Sequence, residues 1–119
     1  LFLERLAGSL KQSFGRKAMD IVQHTQEGVF DVDLCGFFTF GDHPAFREIL
    51  KKIEADENIR QIVFHMDKLE FVDSAALGML LLAHDAVEKK QKSLVIKGVE
   101  GQVKKMFALA HFQKLFALE

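Results

Sequence analysis

Asp73 and Ser74 are the neighbouring side chains best suited to chemistry in this 119-residue chain. Before them come the apolar run Ile62, Val63 and Phe64, and then Phe71 and Val72. After them comes a segment with helical spacing, Ala75 to Val87. Either side-chain oxygen can accept a hydrogen bond from the first-turn N–H groups of a helix, which have no partner within it. Ala75, Ala76 and Gly78 keep that turn thin, so a partner can approach Ser74 closely or a neighbouring element can pack there. A phosphate on Ser74 would meet helix N–H groups and the positive end of the helix dipole, and would add charge beside Asp73. Two readings of Ser74 therefore stand open: a helix cap, and a regulatory hydroxyl whose modification changes what docks.

Other chemistries find little support. None of His24, His43, His65, His84 and His111 stands at metal-ligand spacing with a cysteine or a carboxylate cluster, so no metal is expected. There is no glycine-rich phosphate loop and no Gly-x-Ser-x-Gly elbow, and no histidine in the sequence context of Ser74 marks it as a hydrolase nucleophile. The expectation is a protein that is not an enzyme and needs no cofactor. Sixteen basic residues against seventeen acidic ones give a formal net charge of -1, which does not suit nucleic acid as a partner. The single cysteine, Cys35, excludes an internal disulfide framework. No run is long and apolar enough to insert in a membrane, and Leu1 onward lacks the pattern of a secretory signal, so a cytoplasmic protein or module is expected.

The elements that must position Asp73 and Ser74 follow from periodicity. Residues 1–17 form a leader: Phe2, Leu3, Leu6, Leu10 and Phe14 recur at helical spacing, predicting an amphipathic helix that ends near Gly15. So short a helix must pack on its own domain, on a second copy to form a homodimer, or on a neighbouring domain. Residues 18–119 form the main domain. Strands are predicted over Met19–Gln26 and from Val29 to about Phe37, joined at Glu27-Gly28 as a hairpin. Gly36–His43 reads as a loop. A helix follows, with Asp42 as cap, Pro44 in its first turn, and Phe46, Ile49, Leu50 and Ile53 inward. Ile59–Met66 is the central strand. Beyond the helix that starts at Ala75 lie a strand at Ser93–Ile96, a helix over Gly101–Leu109 and a short strand at Leu115–Leu118. The alternation predicts an α/β layer with parallel crossovers. Phe37, Phe38 and Phe40 cannot all point inward from one short loop, so at least one is a candidate anchor for a partner.

The stretch Phe71-Val72-Asp73-Ser74-Ala75-Ala76-Leu77-Gly78-Met79-Leu80-Leu81-Leu82 resembles the signature of the STAS domain, the family of bacterial anti-sigma factor antagonists. The resemblance extends from about Met19 to Phe116. It implies a mixed β-sheet flanked by helices, here with the extra N-terminal amphipathic helix. It also implies that Ser74 is phosphorylated by an anti-sigma factor acting as a serine kinase, that a serine phosphatase resets it, and that the unmodified form binds the anti-sigma factor. Asp73, Ala75, Ala76, Gly78, Thr39, Asp42 and His65 would surround the phosphosite. Phe37, Phe38, Phe40 and Met79 would contribute to the partner face. Thr39 stands where the family usually has an acid, with Asp42 close by as a substitute, and His65 stands where the family has Asp or Asn. The alternative is a STAS module that is not phosphorylated, serving as a sensory or structural domain or as an accessory subunit of a transporter ATPase.

Overall fold

Two residues of positive φ set the first hairpin. Glu27 (50°) and Gly28 (82°) reverse the chain between β1 (Asp20–Gln26) and β2 (Val29–Phe38). Such a turn has the twist that paired strands need. The computed structural model describes residues 19–119, so the expected leader helix lies outside the described residues. After β2 the chain makes a short 3-10 turn at Phe40–Asp42 and enters α1 (His43–Ala55). β3 (Gln61–His65), β4 (Leu69–Val72), α2 (Ser74–Lys89), β5 (Ser93–Lys97) and α3 (Gly101–Leu109) follow. A second 3-10 turn, Phe112–Lys114, leads to β6 (Ala117–Leu118).

The sheet is mixed, in the order β1-β2-β3-β5-β6, with β4 also paired to β2. Among the described residues only β1 and β2 are antiparallel; every other pair there is parallel. β2 is long because, with β1 on one edge, it serves two partners in succession on the other. Its first half, Val29–Asp33, pairs with β3, and Gly36–Phe38 pairs with β4. The register shifts between Gly36 and Phe37, and Gly36 takes a φ of 91° at that irregularity, a conformation that suits glycine.

Alternation along the strands decides which side faces the helices. Phe30, Val32 and Leu34 of β2 are fully buried, in register with Ile62 and Phe64 of β3 and then Leu94 and Ile96 of β5. α1 lays Phe46, Ile49 and Ile53 on this layer, and α2 adds Ala76, Met79, Leu80 and Ala83. α3 closes the end against β4 with Val103 and Phe107. Lys92 ties the layers from the side, its Nζ donating to the carbonyls of Ile53 and Asp56 (2.8 Å) at the end of α1. Burial lowers the Lys92 pKa, partly offset by Asp56.

Three sequence expectations change. β4 was not anticipated, and β2 runs on through Phe38, so the loop begins at Thr39 rather than Gly36. Met79, expected on the partner face, points into the core, while its neighbour Leu81 is 38% exposed.

Candidate functional site

Parallel pairing of Phe38 with Val72 brings the ends of β2 and β4 together. The next residues, Thr39 and Phe40 on one side and Asp73 and Ser74 on the other, form the site. Asp73 has extended backbone (φ -102°, ψ 179°), and its N–H donates to the Phe38 carbonyl at 3.3 Å. Its carboxylate works in two directions. Oδ1 accepts the Ala76 N–H at 2.8 Å and caps α2, while Oδ2 accepts the Phe40 N–H at 3.0 Å and holds the opposite loop. Asp73, rather than Ser74, is thus the cap. Ser74 is the first residue of α2 and exposed, and among the described residues its hydroxyl has no hydrogen-bond partner.

The facing loop is held by Asp42. Its Oδ2 accepts the Thr39 N–H at 2.9 Å and lies 3.5 Å from Thr39 Oγ1, and its Oδ1 accepts the Met19 N–H at 3.4 Å. Asp42 was expected to cap the helix at Pro44. It precedes α1 but makes no side-chain cap bond there, because its carboxylate is taken by the turn behind it. Thr39 and Asp42 therefore shape the Phe40 loop that Asp73 grips.

A further anchor comes from α3. The Gln102 side-chain amide accepts the Val72 N–H (3.0 Å) and donates to the Val72 carbonyl (2.9 Å), pairing with β4 as another strand would. Sequence reasoning missed this residue. Nothing near Gln102 in the chain marks it, since its role depends on α3 packing beside β4.

The expected partner-facing aromatics separate by burial. Phe40 is 76% exposed beside Ser74, and Phe37 is half-buried with its ring 5.3 Å from that of Phe71. Phe38 is fully buried against Phe46, and Met79 is 4% exposed; both belong to the core and offer no anchor. Ala76 is buried under the first turn, while Ala75 is half-buried and Gly78 exposed, which leaves the turn thin beside Ser74. His65 is not part of the cluster. It points to the sheet face away from α1 and α2, with Nε2 2.7 Å from Asp31 Oδ1. Beyond Ser74, exposed Leu82 joins His43, Arg47, Leu50 and Lys89 along a groove between α1 and α2.

No group of His, Cys, Asp and Glu among the described residues is arranged to hold a metal ion, and no helix among them is long and apolar enough to cross a membrane. What the arrangement can do is present one hydroxyl at a helix start, beside an aromatic ring, with a groove of mixed lining farther along α2.

Comparison with known proteins agrees with this architecture. The STAS domain family model matches residues 20–119. A STAS-domain containing protein of Pseudomonas aeruginosa is 29% identical over 87 residues, covering 73% of this chain and 84% of the relative. An anti-sigma-B factor antagonist of Staphylococcus aureus is 24% identical over 97 residues, covering 82% and 89%. Among solved structures, an anti-sigma factor antagonist from Mycobacterium paratuberculosis superposes with a TM-score of 0.74 at 19% identity, covering 85% of each chain. With its helix-flanked mixed sheet and a family match over residues 20–119, the chain belongs to the STAS domain family.

Proposed function

We propose that this protein is an anti-sigma factor antagonist controlled by phosphorylation of Ser74. The observation that carries the reading is the two-way grip of Asp73, which fixes the helix start and the Phe40 loop while leaving the Ser74 hydroxyl exposed. The unmodified face, with Phe40, the first turn of α2 and the groove beside it, binds the anti-sigma factor. A serine kinase activity of that partner transfers the γ-phosphoryl group of ATP. The Ser74 Oγ–P bond forms, the bond to ADP breaks, and the hydroxyl proton passes to a base of the kinase.

The hydrogen bonds already made at the helix start support a repulsive role for the phosphate. Asp73 already takes the Ala76 N–H with its side chain and the Leu77 N–H with its carbonyl (3.2 Å). Fewer helix N–H groups are left for a phosphate, and the Asp73 carboxylate repels it. The added charge of about -1.5 to -2 is therefore turned outward, into the partner face, and breaks the complex. A serine phosphatase restores the hydroxyl by hydrolysing the ester. The setting is the cytoplasm, where the kinase meets ATP.

The test uses the full chain, with the anti-sigma kinase recovered from its own cells and ATP. Phosphate should map to Ser74 and be absent from Ser74→Ala, which should bind the kinase persistently. Ser74→Asp should weaken that binding at least tenfold. Phosphate at another residue, or undiminished binding by Ser74→Asp, would sink the reading.

A further inference from the structure

The sheet face turned away from α1 and α2 is ordered in rows. His24, Asp31, Val63 and Val95 lie side by side across β1, β2, β3 and β5. Val22, Asp33, His65 and Lys97 form the next row, and Asp20 pairs with Cys35 beyond it. The three described helices give their buried side chains to the core on the other face. Val63 is only 6% exposed yet stands outside that core cluster. Val95 and Cys35 are half-buried, and Val22 is 58% exposed. The face thus has an apolar centre with three carboxylates, Asp20, Asp31 and Asp33, along its β1–β2 side.

The chain itself carries a complementary segment. Residues 1–18 place Phe2, Leu3, Leu6, Leu10 and Phe14 at three- and four-residue spacing. They hold four basic residues, Arg5, Lys11, Arg16 and Lys17, against the single acid Glu4. The remaining residues hold the other 12 basic and 16 acidic side chains of the total of 16 and 17, so opposite charge divides at Met19. The segment joins β1 at Met19, and the next residue, Asp20, already belongs to the open face. Reach is not limiting. Fourteen helical residues span about 21 Å, against roughly 14 Å across four adjacent strands.

We propose that residues 1–18 of this chain dock on the open sheet face of the same molecule. The apolar stripe lies on Val22, Val63 and Val95, and the basic residues lie toward Asp20, Asp31 and Asp33. Burying such a stripe supplies the packing that a short helix lacks by itself. The docking site is separate from Ser74 and stands or falls independently of the phosphorylation reading.

Cys35, on the covered face, is a native reporter. Its alkylation by N-ethylmaleimide is measured in the full chain and in Leu6→Glu/Leu10→Glu, with native mass spectrometry for the oligomeric state. The expected result is a monomer in which the double variant reacts at least about tenfold faster. Lys11→Glu/Arg16→Glu/Lys17→Glu keeps the apolar stripe and should also speed alkylation; it decides the matter if the first variant fails to fold. Equal rates in wild type and a folded variant would overturn the proposal. A wild-type dimer that the variants split into monomers would also overturn it, by giving the face to a second copy.

Discussion

The Asp73 carboxylate accepts the backbone N–H of Phe40, 33 residues earlier in the chain, at 3.0 Å. Its other oxygen caps α2 through Ala76 at 2.8 Å. One side chain therefore sets the distance between the helix start and the loop that faces it. Asp73→Ala removes both bonds and should cost about 1–3 kcal/mol in urea unfolding. Asp73→Asn keeps one acceptor oxygen for Ala76 but can turn an amide toward Phe40. Hydrogen exchange separates the two effects: the Phe40 amide should exchange faster in both variants, the Ala76 amide only in Asp73→Ala. Equal protection of Phe40 in wild type and Asp73→Asn would show that the loop is held by something else.

Gln102 completes β4 with two hydrogen bonds to one residue, Val72. Gln102→Leu keeps much of the volume and leaves the Val72 N–H and carbonyl unpaired, for an expected loss of about 1–3 kcal/mol. Gln102→Glu keeps an acceptor for the N–H but sets a carboxylate oxygen against the Val72 carbonyl, so its unfolding midpoint should also fall. If Asp73 depends on β4 for its position, the Phe40 amide will lose protection in both variants, although the Gln102 hydrogen bonds go to Val72.

The parts of the fold that show in the sequence are those whose cause is local. Glu27-Gly28 marks the hairpin, Pro44 the start of α1, and the 3.6-residue spacing after Ser74 marks α2. β4 does not show, because four residues, Leu69–Val72, carry no distinctive period and become a strand only by pairing with the end of β2. The same limit applies to the site. Asp73 and Ser74 are adjacent and read together, but the second grip of Asp73 goes to Phe40, far away in the chain, where no local pattern marks it. Met79 shows how a face is misjudged: Met79, Leu80, Leu81 and Leu82 run consecutively, and apolar character alone does not reveal which pair turns inward. The family resemblance sets His65 near Ser74, but strand alternation sends its side chain to the other face, toward Asp31.

Phe38 and Phe40 are two residues apart and should separate stability from recognition. Phe38 is fully buried against Phe46, and Phe38→Ala should cost about 3–5 kcal/mol of stability. Phe40 is 76% exposed, and Phe40→Ala should leave stability within about 0.5 kcal/mol. If Phe40 anchors the partner, its truncation should weaken binding by about 2 kcal/mol, some thirtyfold. Titration calorimetry on the recovered partner, beside thermal melts of both variants, checks the pair. A Phe40→Ala protein with native stability and native affinity would remove Phe40 from the docking face.

Alkaline stability should show two opposing contributions, from Cys35 and Lys92. Burial raises the Cys35 pKa above 9.0, with Lys68 partly offsetting it and Asp33, Asp20 and Asp67 adding to it. Between 9.0 and the raised value the folded chain holds a proton that the unfolded chain has released, so this contribution is present below 9.0 and is lost as pH rises. Burial lowers the Lys92 pKa below 10.5. Between the lowered value and 10.5 the unfolded chain holds the extra proton, so this contribution to stability grows as pH rises. Removing one group exposes the other. Relative to wild type, Cys35→Ala should lose less stability between neutral pH and 10.5, and Lys92→Met should lose more. Denaturant midpoints across that range give both comparisons. Because Lys92 also holds the Ile53 and Asp56 carbonyls, Lys92→Met should in addition be less stable at neutral pH, by about 1–3 kcal/mol, whereas Cys35→Ala carries no such hydrogen-bond loss. Parallel pH profiles for wild type and both variants would mean that neither group is shifted by the fold.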